Sequence, residues 1–338
     1  MLSKITVSPG PHISEAHSTQ SIMLDVIIAL SPAVLAACWF FRLPAVMVIA
    51  VCVVSCAATE MVCNLIRKKS NSLDDLSAIV TGIILALSLP ATIPLWAAAI
   101  GSIIAIAIGK MVFGGLGSNT FNPAMVARTF MAVSLGSLMT TWTLPATIDT
   151  EMPTIKISAE PNVAAVTQAT PLGWSKQAIK GESSIENANS LRMDAMFGSV
   201  GGCLGETSSL ALILGGAYML FRKTITYVIP IAVLGSAAVF AAICFFLNPE
   251  KFADPGFHLI SGGMLLCAFF IATDPVTAPI TKKGMWIFGI GTGLIIMLIR
   301  NIGGYPEGVM FAILLMNSLT PLIDRACKLT PCGGKKND

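Results

Sequence analysis

Three acidic residues stand inside or at the ends of long apolar runs, where a carboxylate could contact an ion or a redox cofactor. Asp25 lies near the start of the first run, Glu206 lies in a Gly-Glu-Thr-Ser-Ser segment, and Asp274 ends a run just before Pro275. A bare carboxylate within a bilayer is costly, so such residues often mark ion pathways. They could equally cap a helix or pair with an arginine, and Asp274 could simply initiate a turn. We expect Asp25, Glu206 and Asp274 to be the ion-pathway or cofactor-pocket candidates.

The sequence contains no arrangement of residues that predicts nucleophilic or metal catalysis by the chain itself. His12 and His17 lie in a polar N-terminal segment, and His258 lies at the edge of an apolar run. Cys327 and Cys332 lack a second pair, which argues against an iron–sulfur or zinc site. The odd count of nine cysteines predicts no disulfide framework. If electrons or ions move through this protein, a bound cofactor must assist them.

A glycine-rich loop at residues 114–124 leads into a helix start at Asn122-Pro123. Glycines allow close backbone approach, and a helix start exposes free N–H groups, which suits a phosphate or a subunit contact. The loop lacks the Gly-Lys-Ser/Thr ending of a P-loop. A tight turn between two helices is the alternative interpretation.

Composition identifies a polytopic membrane protein. The chain is 54% hydrophobic and only 12% charged, with a mean hydropathy of +0.79. Too few charges remain to cover a soluble domain of this size, which excludes a soluble globular enzyme. The net charge of +3 gives no reason to expect nucleic acid binding. We expect an all-α protein with about ten transmembrane helices, in the apolar runs 22–41, 43–66, 76–89, 95–113, 122–138, 198–222, 226–247, 257–273, 285–300 and 307–323.

The distribution of basic residues predicts the orientation. With the N-terminus inside, most Lys and Arg residues fall on the cytoplasmic side, Lys110 and Arg128 among them, so both termini are expected in the cytoplasm. Glu60 precedes the basic run at 67–69 and is expected to pair locally. The predicted organisation is a cytoplasmic segment (1–21), a first five-helix repeat (22–138), an extracytoplasmic loop (139–196), a second five-helix repeat (197–325) and a cytoplasmic tail (326–338).

A weak internal similarity supports the two repeats. The shift that superimposes Asp25 on Glu206 also superimposes Gly82 on Gly263. Five spans per half is an odd number, so the two repeats would be inverted about the membrane plane. Inverted repeats with interrupted helices place binding sites and ion paths near the midplane.

Six segments distributed along the whole chain carry a family resemblance: residues 8–13, 114–124, 167–172, 205–208, 272–279 and 305–317. Together they resemble the NqrB/RnfD family. This family comprises the D subunit of the Rnf complex, an ion-translocating ferredoxin:NAD oxidoreductase, and the B subunit of the sodium-pumping NADH:quinone reductase. The 21 polar residues before the first run are too few for the longer N-terminal segment of the quinone reductase subunit, which favours the Rnf type.

The resemblance implies FMN bound through a phosphoester to a threonine of the extracytoplasmic loop, and Thr170 is the matching position. It also implies a separate flavin transferase for maturation, a second, non-covalent flavin (riboflavin) within the helices, and the A, B, C, E and G subunits of the Rnf complex as partners in the bacterial inner membrane. A charged phosphate requires an attachment point outside the hydrocarbon, which the loop provides. Ala164 and Gln168 depart from the family's acceptor motif, in which Asp and Gly are common.

Two other functions remain open at the level of sequence. The chain could be the B subunit of a sodium-pumping NADH:quinone reductase, which the final electron acceptor would distinguish. It could also be a non-redox channel or carrier with a urea-channel-like fold, since inverted five-helix repeats build such proteins too. A channel or carrier function does not explain the long loop at 139–196. Absence of flavin would favour this function.

Overall fold

In the computed structural model, the described residues are 18–68, 72–142, 170–181, 185, 195–196, 198, 200–206 and 208–328. The motif at 8–13, positions Ala164 and Gln168, and Cys332 lie outside these residues. Within the described part every regular element is helical. The helices are α1 (Thr19–Phe41), α2 (Leu43–Ile66), α3 (Ser77–Leu87), α4 (Leu95–Ile106), α5 (Pro123–Ser134), α6 (Gly136–Met139), α7 (Pro171–Lys180), α8 (Ser209–Phe221), α9 (Val228–Leu247), α10 (Pro255–Ile260), α11 (Met264–Leu266), α12 (Lys282–Asn301) and α13 (Val309–Ala326).

Local sequence explains where these helices begin. Side-chain oxygens of Ser18, Asn122 and Thr281 accept backbone N–H groups in the first turns of α1, α5 and α12. Pro123 occupies the first turn of α5, where its missing N–H is not needed. Two helices extend into π-helical turns, α4 through Ala107–Met111 and α11 through Cys267–Ile271.

Five of the described helices are long and apolar enough to cross a membrane: α1, α2, α9, α12 and α13. Three shorter apolar segments accompany them: α3, the segment Leu95–Met111 and α8. The other predicted runs are less regular than their composition indicated. Helix covers only Ser209–Phe221 of run 198–222, and run 257–273 breaks at Gly262, which has a φ of +71°.

The non-helical start of run 198–222 is explained by backbone pairing with the end of α3 and the residues that follow it. An isolated antiparallel bridge joins Pro90 to Cys203. The backbone N–H groups of Leu204 and Gly205 donate to the carbonyls of Leu89 and Leu87, at 2.9 and 2.7 Å. Non-helical backbone at membrane depth must be satisfied by protein, and these bonds do so. Gly205 is required here because a Cβ would lie 2.9 Å from the Leu87 carbonyl oxygen.

Small residues let the helices approach closely. An added Cβ at Gly82 of α3 would lie 2.8 Å from the Val53 Cα of α2, and one at Gly289 of α12 would lie 2.5 Å from the Ala232 Cβ of α9. α1 packs against α8, α5 packs against α13, and these contacts join the first helices of the chain to the last. Close approach through small residues is the usual means of helix association in lipid.

Candidate functional site

Glu206 lies at the centre of a buried group of charged side chains, which we call the carboxyl–arginine cluster: Cys203, Glu206, Glu307, Arg128 and Arg300. The Cys203 Sγ and carboxylate oxygens of Glu206 and Glu307 all lie within 4.8 Å of one another. The two carboxyl groups are therefore close neighbours in the fold. Arg128 donates to the Glu307 Oε2 at 2.9 Å and to the Cys203 Sγ at 3.3 Å.

Four separate parts of the chain build this cluster. Glu206 follows the segment that pairs with the end of α3, Glu307 precedes α13, Arg128 lies on α5 and Arg300 ends α12. The Arg300 guanidinium lies 3.8 Å from the Glu307 Oε1, which also accepts the Gly263 N–H at 2.5 Å. The opposite charges therefore satisfy one another within the helix bundle, as buried charges must.

The chemistry of the cluster favours a proton over a metal ion. Two carboxyl groups this close together repel each other when both are ionised, which favours the binding of one proton by the pair. Arg128 already faces both the thiol and the Glu307 carboxylate, and its positive charge would repel a metal cation from these ligand atoms. A cavity of about 250 Å³ borders Glu206, Glu307 and Arg128. The cluster can therefore hold and exchange a proton beside a small internal space.

Asp25 and Asp274 do not join this cluster. Asp25 accepts hydrogen bonds from Tyr218 and Thr224, each at 3.2 Å, and pairs with the Arg222 Nε at 3.4 Å. The Asp274 carboxylate accepts from the Val276 N–H and the Thr277 hydroxyl, at 3.2 and 3.1 Å. The contacts of Asp25 are those of a carboxylate paired with an arginine, and the contacts of Asp274 are those of a residue that initiates a turn.

Asp274 also borders a much larger space, which we call the large cleft. It encloses about 740 Å³ and is lined by residues of α1, α3, α8 and the loop before α5, together with Asp274 and its neighbours. Most of its wall is apolar, with Val80, Ile84 and Phe270 among the lining residues. Asn119 lines the cleft, is only 5% exposed, and leaves its Oδ1 without a hydrogen-bond donor. The cleft thus offers an apolar enclosure with one unused acceptor.

Lys110 is fully buried at the wall of the large cleft. Its Nζ donates to both carboxylate oxygens of Glu60 at 2.8 Å and to the Ser77 hydroxyl at 2.5 Å. The prediction that Glu60 forms a local ion pair is therefore wrong, because the π-helical turn of Ala107–Met111 places Lys110 beside it instead. Arg67 binds the carbonyls of Met111 and Gly114. Lys110 and Arg128, which the charge distribution places among the cytoplasmic basic residues, are both more than nine-tenths buried.

The glycine-rich loop behaves as a tight turn that reaches the large cleft. Gly114, Gly115 and Gly117 all have positive φ, a conformation that favours glycine. The Asn122 side chain accepts the Met125 N–H at 3.3 Å, so it starts α5. Asn119, in the same loop, brings its free Oδ1 to the cleft.

Thr170 is the N-cap of α7, and its hydroxyl oxygen accepts the Gly173 N–H at 3.0 Å. The residue is 6% exposed. α7 is held by Leu172, which packs with Phe257, and by Lys176, whose Nζ donates to the Tyr305 carbonyl at 2.5 Å. Burial and the neighbouring Lys180 lower the pKa of Lys176.

α7 and the carboxyl–arginine cluster meet at Gly262. A Cβ on this residue would lie 2.5 Å from the Leu172 Cδ1, 2.8 Å from an Arg300 guanidinium nitrogen and 3.1 Å from the Glu307 Oε1. The predicted flavin-bearing segment therefore rests directly on the group that contains Glu206. The sequence interpretation missed Arg128 and Arg300, although an arginine inside an apolar run is a signal for a buried ion pair.

Comparison with known proteins agrees with this picture. The model of the NQR2, RnfD, RnfE family matches residues 6–333. The chain is 43% identical over 324 residues to the D subunit of the Na(+)-translocating ferredoxin:NAD(+) oxidoreductase complex of Acetobacterium woodii, covering 96% of this chain and 94% of that protein. It is 41% identical to the D subunit of the proton-translocating ferredoxin:NAD(+) oxidoreductase complex of Clostridium ljungdahlii, over 95% of this chain and 93% of that protein.

A third relative, the D subunit of the ion-translocating oxidoreductase complex of Halorhodospira halophila, is 39% identical over 93% of this chain and 92% of that protein. The apolar helices together with these matches describe a multi-pass membrane protein. The chain therefore belongs to the NQR2, RnfD, RnfE family and is a subunit of an ion-translocating oxidoreductase complex.

Proposed function

We propose that this chain is the flavin-carrying membrane subunit of an Rnf-type ferredoxin:NAD oxidoreductase. In this proposal FMN is bound covalently through its phosphate to Thr170, and electron transfer through it is coupled to Na⁺ or H⁺ transport. The observation that carries the proposal is the position of Thr170 at the start of a helix that rests on a buried, proton-holding cluster. The matches to relatives named for this activity support it.

The residues around Thr170 fit a phosphoester. A helix N-terminus offers free N–H groups and a positive dipole end, both of which stabilise a phosphate. Pro171 has no N–H, so Leu172 and Gly173 supply the nearest donors, and the Gly173 N–H already points at the Thr170 hydroxyl oxygen. Bound there, the flavin would supply a one- or two-electron carrier that no side chain of this protein provides.

The large cleft fits a second, non-covalent flavin such as riboflavin. Its walls are mostly apolar and carry a few polar groups, which is the composition of a typical cofactor pocket. The Asn119 Oδ1 is a buried acceptor without a donor, and the imide N–H of an isoalloxazine ring is a donor of the right kind. Asn119 is therefore the residue that we assign to orient this flavin.

Glu206 and Glu307 are the residues that we assign to coupling. Reduction of a flavin next to α7 adds negative charge, and a group that can take up a proton nearby would respond to it. Asp25 and Asp274 are assigned to the side of the large cleft, since Asp274 and the Asp25 neighbours Ile22, Met23 and Val26 line it.

The arrangement of helices supports two inverted five-span repeats, about ten spans in all. Each half has two apolar helices before a short or broken third element: α1, α2 and α3 in one half, and α8, α9 and α10–α11 in the other. We place both termini in the cytoplasm, the loop at 139–196 outside, and the protein in the bacterial inner membrane. Its partners are then the A, B, C, E and G subunits of the Rnf complex, with a flavin transferase for maturation.

The test is flavin fluorescence of this chain in a denaturing gel after co-expression with a flavin transferase. We expect a fluorescent wild-type band that is lost in Thr170→Ala. Thr167→Ala, a nearby threonine of the same loop, is the matched control and is expected to stay fluorescent. A dark wild-type band, or a fluorescent Thr170→Ala band, would contradict the assignment of Thr170, and the absence of any flavin would favour a channel or carrier.

A further inference from the structure

Thr170 is almost completely buried in the folded chain. Only 6% of the residue is exposed, and the hydroxyl oxygen accepts the Gly173 N–H within the first turn of α7. Pro171 and Leu172, which follow it, are also buried. The folded helix thus presents almost no surface at the modification site.

Contacts on both sides of the helix keep α7 in this position. The Leu172 side chain belongs to the same buried apolar cluster as Phe257, which is completely buried, and lies against the backbone at Gly262. On another face, the Lys176 Nζ binds the Tyr305 carbonyl oxygen at 2.5 Å. These contacts connect α7 to α10 and to the segment before α13, and they hold the helix in the position in which Thr170 is buried.

The chemistry of flavin transfer demands much more room than the docked helix leaves. The threonine Oγ attacks the FMN phosphorus of FAD, an Oγ–P bond forms, and the bond from this phosphorus to the oxygen of AMP breaks. AMP leaves, the hydroxyl proton passes to a base of the transferase, and no electrons are exchanged. The attacking and leaving oxygens stand in line on opposite sides of the phosphorus, so the transferase active site and the dinucleotide must both surround the threonine.

We infer that Thr170 is modified before α7 docks onto the membrane-spanning helices, and that docking then closes the site. This inference rests on the proposed function and adds an order of events to it. After transfer, the phosphate oxygens would accept the N–H groups at the start of α7 in place of the hydroxyl.

A reversible cross-link provides the test. The double variant Lys176→Cys/Tyr305→Cys, in the assembled complex from cells without the transferase, is treated in right-side-out vesicles with a short bis-methanethiosulfonate, which links two cysteines through reducible disulfides and releases sulfinate. Purified transferase, FAD and Mg²⁺ are then added, and flavin fluorescence of the band is followed over time. We expect the linked protein to stay dark and the same protein to become fluorescent after the link is reduced.

Variants that loosen α7 provide the complementary result. Phe257→Ala removes the packing partner of Leu172 but leaves the acceptor segment unchanged, and we expect it to accelerate flavin transfer about tenfold, which corresponds to about 1.4 kcal/mol of lost docking energy. Phe288→Ala is the matched control, because Phe288 is equally buried but belongs to the main core. This control is expected to be modified at the wild-type rate.

The outcomes separate this inference from the proposed function. Equal rates for linked and unlinked protein would overturn the order of events while leaving Thr170 as the acceptor. The full-length protein with the single change Thr170→Ala tests the acceptor itself. If no form of the protein gains flavin, or if Thr170→Ala gains it, the assignment of Thr170 fails, and the order of events fails with it.

Discussion

The pair Arg128–Glu307 gives the sharpest test of the carboxyl–arginine cluster. The two groups lie 2.9 Å apart, with side-chain exposures of 9% and 14%. Breaking a buried pair by removing one partner costs about 3–5 kcal/mol, because an uncompensated charge stays behind. Arg128→Met leaves Glu307 with Arg300 and the Gly263 N–H, so we expect a loss near the lower limit, about 3 kcal/mol.

Glu307→Leu is expected to cost more, about 5 kcal/mol, because it leaves two arginines without their carboxylate. The double variant Arg128→Met/Glu307→Leu removes one of these orphaned charges. Arg300 still donates to the carbonyls of His258 and Ser261. We therefore expect the double variant to lose about 5 kcal/mol in total, not the sum of about 8 kcal/mol, giving a coupling energy of about 3 kcal/mol.

The assay is the free energy of unfolding in detergent micelles, measured by titration with sodium dodecyl sulfate and followed by intrinsic fluorescence. Arg42→Met is the matched control, since Arg42 is exposed and forms no cluster contact in the described part of the chain; it should change stability by less than about 0.5 kcal/mol. If the loss of the double variant equals the sum of the two single-variant losses within about 0.5 kcal/mol, the reasoning is refuted, because independent sites are additive in this way.

Three further predictions concern coupling, the Lys110–Glu60 pair at the large cleft, and the backbone pairing at Gly205. Glu206→Gln, which cannot exchange a proton, should abolish ferredoxin-driven ion uptake into vesicles while flavin fluorescence persists; unchanged uptake would remove Glu206 from the mechanism. Lys110→Met should cost about 3–5 kcal/mol in the same unfolding titration, because Glu60 is completely buried, and adding Glu60→Gln should restore most of this loss. Gly205→Ala should lower the free energy of unfolding by about 1–3 kcal/mol, because its Cβ clashes with the end of α3. Gly235→Ala has open space at its Cβ and should leave stability unchanged. Equal effects of the two variants would contradict the close backbone pairing at Gly205.

The sequence was sufficient to predict an all-helical membrane protein and its family. Both predictions depend on quantities that accumulate along the chain, namely the length of apolar runs and the presence of motifs from residue 8 to residue 317, and neither requires knowledge of contacts. The family resemblance also singled out Thr170, whose position at the start of a helix the structure describes. Local patterns likewise explain the starts of α1, α5 and α12.

The partners of the buried charges were decided only by the tertiary structure. Glu60 pairs with Lys110, and Glu307 pairs with Arg128, although the partners are far apart in sequence. Broken and π-helical segments bring them together, and hydrophobic periodicity does not reveal such segments. The same is true of run 198–222, where pairing of residues 203–205 with the end of α3 replaces the expected helix. The physical reason is that a charge inside lipid is stabilised by whichever opposite charge the fold brings close, and an interrupted backbone by whichever neighbour can bond to it. The residue type shows that a buried charge needs a partner, whereas only the fold determines which residue that partner is.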